Sequence, residues 1–126
     1  MDFPTHLFFT EDHEWMSALS GTVKVGISAY AIEQLGDIVH IDLPEIGKTF
    51  ETKDPFGTVE STKTVSDLYM PGKGKIVEVN ADLLNSPERL QEDPYNKGWL
   101  VKIKLDSEVK DLMSAKQYES YIQESA

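Results

Sequence analysis

A mostly β sandwich with short helices and a helical tail is the fold class this sequence predicts, on two observations. Apolar residues alternate with polar ones at period two through most of the first hundred residues, and glycine and proline cut the middle into short pieces. Val23, Val25 and Ile27 alternate with Thr22, Lys24 and Gly26; Val39, Ile41 and Leu43 alternate with His40 and Asp42; Val101, Ile103 and Leu105 alternate with Lys102 and Lys104. Each run reads as a half-buried antiparallel strand. Pro44, Gly47, Pro55, Gly57, Pro71, Gly72 and Gly74 supply the turns that a small barrel or sandwich requires.

The helical elements carry their own start and stop signals. Ser28 is placed to cap a short helix over Ala29–Leu35, with Gly36 just past its end. Ser86-Pro87 suggests a further brief turn of helix, because proline tolerates a first helical position. Beyond Leu105 the pattern turns helical: Ser107 is expected to cap Glu108–Met113. Ser114 with Gln117 forms a capping-box signature for a last helix carrying Tyr118, Tyr121 and Ile122, expected to pack on the sheet. One carrier-sized domain over 1–126 is expected, with a sandwich core at about 12–105 and a helical segment at about 107–123. Ile38-Val39-His40-Ile41 and Ile76-Val77-Glu78-Val79 echo each other, as two related half-sheets around a central hairpin would.

Composition narrows the function classes. At 126 residues the chain is long enough to bury a core without metals or disulfides. Its 12 basic against 22 acidic side chains leave 12 − 22 = −10, which repels phosphate backbones and anionic lipid alike. Nucleic acid and membrane are therefore not expected partners. Without cysteine there is no disulfide framework, thiolate nucleophile or cysteine zinc site. The first ten residues have neither a basic region nor a long apolar run. A cytoplasmic monomer is the expectation, or a mitochondrial-matrix one for a mature eukaryotic chain.

Lys63 lies in Glu60-Ser61-Thr62-Lys63-Thr64-Val65-Ser66-Asp67-Leu68-Tyr69-Met70-Pro71, between the β-rich runs Phe56–Val59 and Lys75–Val79. That placement puts it at an exposed turn between strands, where its ammonium is open to acylation. Most such lysines only keep an edge soluble. Here the surrounding blocks say more: His13-Glu14-Trp15, Val25-Gly26-Ile27, Leu35–Val39, Leu43–Gly47, Asp54–Gly57, Val77–Asn80, Glu92–Tyr95 and Gly98–Ile103. In this order and at about this spacing, they resemble the H proteins of the glycine cleavage system. The resemblance implies the barrel-sandwich hybrid of lipoyl and biotinyl carriers, with a lipoate joined to Lys63 by an amide.

It also implies the chemistry. Such a carrier takes the aminomethyl group of glycine from a pyridoxal-phosphate-dependent glycine decarboxylase, the P protein, and delivers it to an aminomethyltransferase, the T protein. Dihydrolipoyl dehydrogenase, the L protein, then reoxidises the arm. The carrier has no catalytic residues of its own, and lipoylating enzymes are its remaining partners. By the same resemblance Glu14 lies near the cleft that receives the loaded arm; taken alone it reads as a solvated acid beside a half-buried indole. Asp67 is a second acid that the same cleft would use, and Asp12 a third. Glu60 and Ser61 are placed for recognition by the lipoylating enzyme.

Other constellations are weaker. His6, His13 and His40 lack paired metal-ligand spacing. Gly72-Lys73-Gly74 reads as a turn, and any serine–histidine–acid triad would be arbitrary. Two alternatives stay open. The carrier resembles, equally well, a donor that relays lipoyl or octanoyl groups to other lipoate-dependent enzymes, or Lys63 is an unmodified turn residue of an interaction module. A biotin carrier fits less well, because Thr62-Lys63-Thr64 stands where Met-Lys-Met is expected.

Overall fold

In the computed structural model, which describes residues 2–125, two open antiparallel sheets face each other. Of Ser125 only the backbone is described; Met1 and Ala126, the ends of the expected domain, lie outside the described residues. The chain runs β1 (Phe8–Phe9), β2 (Glu14–Met16), β3 (Thr22–Ile27), α1 (Ala29–Leu35), β4 (Ile38–Asp42), β5 (Thr49–Phe50), β6 (Pro55–Ser61) and β7 (Val65–Tyr69). It continues through β8 (Gly74–Val79), α2 (Ala81–Asn85), α3 (Arg89–Glu92), β9 (Val101–Leu105) and α4 (Ala115–Ser125). The larger sheet has the order β1-β2-β3-β9-β8-β5 and the smaller β4-β6-β7. Neither closes into a barrel, so the sandwich is open.

The strands owe their positions to the alternation. Val23, Val25, Ile76, Val101 and Ile103 turn inward from the larger sheet to meet Ile41, Val59 and Leu68 from the smaller, and all are buried. Each such side chain contributes about 1.5–3 kcal/mol of burial. The echoed strands β4 and β8 end up in different sheets. In β4 the alternation slips: a bulge between Ile38 and His40 leaves Val39 48% exposed, while Ile38 and Ile41 are buried. The period-two expectation for Val39 is therefore corrected, since an extra residue in one strand shifts the parity of those beyond it.

A second cluster caps the first. Leu7, Phe9, Trp15, Ala115 and Tyr118 are buried together, with the Phe9 and Tyr118 rings stacked at 4.6 Å. Gly26 makes room for it, because a Cβ at that position would overlap the Trp15 indole. Trp15 Nε1 donates to the Pro94 carbonyl at 3.1 Å.

Helix signals held where a side chain could satisfy a helix end. Ala31 N donates to Ser28 Oγ at 3.2 Å, and Gly36, at φ +88°, donates its N–H to the Ile32 carbonyl. Gln117 N donates to Ser114 Oγ at 3.2 Å while Ser114 N donates to Gln117 Oε1 at 2.8 Å, which is the reciprocal capping box. Ser86-Pro87 leads into the brief helix α3: Arg89 N donates to the Ser86 carbonyl and Leu90 N to that of Pro87, each at 3.1 Å, and Glu88 is already helical. The helix expected over Glu108–Met113 is absent. There the chain crosses the sandwich: Val109 N donates to the Leu19 carbonyl, Asp111 takes φ +66°, and Met113 bridges to Phe9. Those cross-chain bonds, with Val109 against Gly72, outweigh local helix propensity.

Candidate functional site

The β6–β7 hairpin carries Lys63 at its tip. Ser61 N donates to the Thr64 carbonyl at 2.8 Å, and the Ser61 hydroxyl accepts from Lys63 N and Thr64 N, each at 3.1 Å. Thr62 N donates to the Asp37 carbonyl at 3.0 Å, which ties the turn to the loop after α1. So these four backbone N–H groups are satisfied without any side chain of Thr62, Lys63 or Thr64, and those three residues stay exposed. Ser61 is itself buried, so it acts on the tip through the shape of the turn. Glu60 is exposed and lies in register between His40 and Val65. A Cβ built on Gly36 would stand 3.4 Å from Lys63 Cε, so the lysine stem runs over the end of α1.

From that helix end a cleft of about 280 Å³ opens between α1 and the edge strand β7. Ile27, Ala31, Leu35, Val59 and Leu68 give it apolar walls, and Asp12, His13, Glu14, Tyr30, Gln34, Ser66 and Asp67 add polar groups. A larger recess of about 460 Å³, around Lys53, Lys73 and 107–112, holds none of the expected site residues.

Glu14 is the unusual group. It is 2% exposed, so the reading of it as a solvated acid is corrected, and Trp15 beside it is 1% exposed. Both lie on β2, which is covered by the aromatic cluster on one side and by β7 on the other. One carboxyl oxygen, Oε2, accepts from Tyr69 N at 2.6 Å and so caps the open edge of β7. The other, Oε1, is buried with no partner among the described residues. Burial pushes its pKa up to about 8; the Tyr69 N–H works against that shift, Asp12 adds to it, and Lys53 opposes it.

The other acids differ. Asp12 is held by Lys53 at 2.9 Å in a half-exposed ion pair, and that hydrogen bond raises the lysine's pKa. Asp67 is exposed on β7 and shares a row with Thr58 and Asp42, so it reaches the cleft across the strand edge. His40 pairs with Asp42 at 3.0 Å on the outer face. His6 is exposed. The sequence signalled neither the Tyr69 N–H as a partner for Glu14 nor the contact of His13 with Tyr118, because both join segments far apart in the chain.

Comparison with known proteins agrees with this geometry. The family model described as glycine cleavage H-protein matches residues 7–125. The glycine cleavage system H protein of Oceanobacillus iheyensis is 46% identical over 126 residues, covering 98% of this chain and 100% of the relative. That of Bacillus cytotoxicus is 48% identical, covering 94% of each. A crystal structure of the H protein from Mycobacterium marinum superposes with a TM-score of 0.90 at 40% identity, covering 96% of this chain and 99% of that one. With a matching fold, near-complete coverage and the lysine hairpin in place, this chain belongs to the glycine cleavage H-protein family.

Proposed function

We propose that the chain is the lipoyl carrier of a glycine cleavage system, bearing lipoate on Lys63 and moving the aminomethyl group of glycine from the P protein to the T protein. The observation that carries this reading is an exposed lysine whose stem passes over the end of α1, beside a cleft that holds a buried carboxyl oxygen with no partner among the described residues. Between them runs β7, whose four steps from Val65 to Tyr69 span about 13 Å. An extended lysine stem with an eight-carbon acyl chain covers such a distance.

When attached, the lipoyl group supplies a dithiolane that accepts the aminomethyl cargo with its own reduction and is reoxidised by the L protein. This chain's residues do the rest. Lys63 supplies the amide nitrogen. Ser61 holds the tip in shape, and Glu60 offers a charge beside it for a lipoylating enzyme to read. The apolar walls exclude water from the arm, and Glu14 Oε1 accepts from the cargo's ammonium, whose charge favours the ionised carboxylate there. A charge-assisted bond of that kind contributes about 1.5–3 kcal/mol. Asp67 and Asp12 add negative potential at the rim. The net charge of −10 suits a single monomeric carrier domain in the cytoplasm that must meet several enzymes and leave each one, because charge steering speeds encounter more than it tightens the complex.

Lys63→Arg tests the reading. The variant should fold and keep its charge, gain no lipoyl mass, and fail to support glycine decarboxylation, because guanidinium is not an acylation nucleophile here. Full decarboxylation with Lys63→Arg would sink the assignment.

A further inference from the structure

His13 lines the cleft next to Glu14 and is tied to the far end of the chain. Its Nδ1 lies 2.8 Å from Tyr118 Oη on α4, and the same phenol oxygen lies 2.7 Å from Ser28 Oγ at the N-cap of α1. Tyr118 and Ser28 are both 0% exposed. Positions alone leave the direction of these two bonds open, but hydrogen-bond satisfaction decides it.

Ser28 Oγ already accepts from Ala31 N, and among the described residues its only available acceptor is Tyr118 Oη. A buried hydroxyl proton without an acceptor is costly, so Ser28 donates to Tyr118. The phenol proton must then go to His13 Nδ1, which therefore carries a lone pair. Its neutral ring has its proton on Nε2. We infer that this chain, Ser28 to Tyr118 to His13, holds His13 as the neutral Nε2–H tautomer, and that Tyr118 is a positioning residue that keeps positive charge out of the cleft. The functional half rests on the proposed reading of the cleft as the berth of an amine-bearing arm.

Protonating His13 at Nδ1 would reverse the chain and leave the Ser28 proton stranded. The neighbours of His13 do not all favour the neutral ring. Asp12, next in sequence, favours the imidazolium, and the rings of Tyr30, Tyr118 and Tyr121 surround it at 5.2, 5.8 and 6.0 Å, but all tilted. Tilted rings offer a cation less than a buried hydroxyl loses with its only acceptor. Burial lowers the His13 pKa, with Asp12 opposing. Burial also raises the Tyr118 pKa, so the phenol stays a donor. A second cation beside Glu14 would compete with the arm's ammonium for the same carboxyl oxygen, and a neutral ring does not.

Long-range proton–nitrogen NMR of His13 in the full lipoylated chain reads the tautomer directly. The expected result is an unprotonated Nδ1 and a protonated Nε2 in the neutral ring, with a midpoint below the ordinary 6.5. An Nδ1–H tautomer, or titration at or above the ordinary 6.5, overturns the inference. Tyr118→Phe removes the phenol proton that occupies Nδ1 in the neutral ring, so the midpoint should rise from the wild-type value toward the ordinary 6.5. An unmoved midpoint in a folded variant counts against the chain. Should that variant not fold, the Tyr118 hydroxyl proton in wild type should show a coupling across the hydrogen bond to His13 Nδ1, and a phenol proton coupled to no histidine nitrogen counts against the chain.

Loss of the aminomethyl group from the loaded carrier gives the functional arm. Tyr118→Phe and wild type should decay alike at pH 8, and the variant roughly fivefold faster at pH 6, the effect of a like charge a few ångströms away at a partly solvated rim. The expected tautomer with equal decay at both pH values overturns the placing of the arm in this cleft while leaving the hydrogen-bond chain standing.

Discussion

Glu14→Gln isolates the cost of a buried carboxylate. The amide keeps the shape and an acceptor for the Tyr69 N–H, and it cannot ionise. In the folded wild type the carboxyl titrates at about 8 against an ordinary value of 4.5, a difference of about 3.5 units. At 1.36 kcal/mol per unit this comes to about 5 kcal/mol. The sign follows from which form the fold prefers. A folded pKa raised above the unfolded one gives stability that is fully present below pH 4.5 and is lost as pH rises through 8, because the folded protein must then ionise a buried group. Wild type should lose about 3 kcal/mol by pH 7 and about 5 above pH 9, relative to the variant. Urea unfolding of both proteins without lipoate, from pH 4.5 to 9, measures the difference. The two curves should agree within about 1 kcal/mol at the acid end, where both side chains are neutral, and diverge in favour of Gln upward. Parallel curves across the whole range would show that Glu14 ionises freely in the fold and refute the argument.

Gly26→Ala should destabilise by about 1–3 kcal/mol, because its methyl must displace the Trp15 indole; an unchanged urea midpoint would mean that the aromatic cluster yields freely. Ser61→Ala removes the acceptor for two N–H groups of the tip, so amide exchange at Lys63 and Thr64 should quicken and stability drop by about 1 kcal/mol, with lipoylation slowed. Protection factors equal to wild type would remove Ser61 from the turn's support. Glu60→Ala leaves a surface position and should alter stability by less than about 0.5 kcal/mol while slowing lipoylation, and normal kinetics would mean that the enzyme reads only the exposed lysine.

Much of this protein is local and therefore legible in the order of its residues. Alternation at Val23–Ile27 and Val101–Leu105 depends only on each strand having one face in water, and the caps at Ser28 and Ser114 are satisfied within four residues. The exposed tip at Lys63 follows from two strand runs joined by three residues, and the blocks around it carry the family likeness. Local reading failed at Val39 and at Glu108–Met113. A bulge is decided by pairing with β6, and the 107–113 crossing by bonds to Leu19 and Phe9, which lie far off in sequence. Glu14 shows the same division. Its place in His13-Glu14-Trp15 marks it for the cleft, but only the tertiary structure sets β7 and its Tyr69 N–H against one oxygen and leaves the other without a partner among the described residues. Desolvation is a property of everything packed around a group, so the residue type and its neighbours in sequence do not contain it.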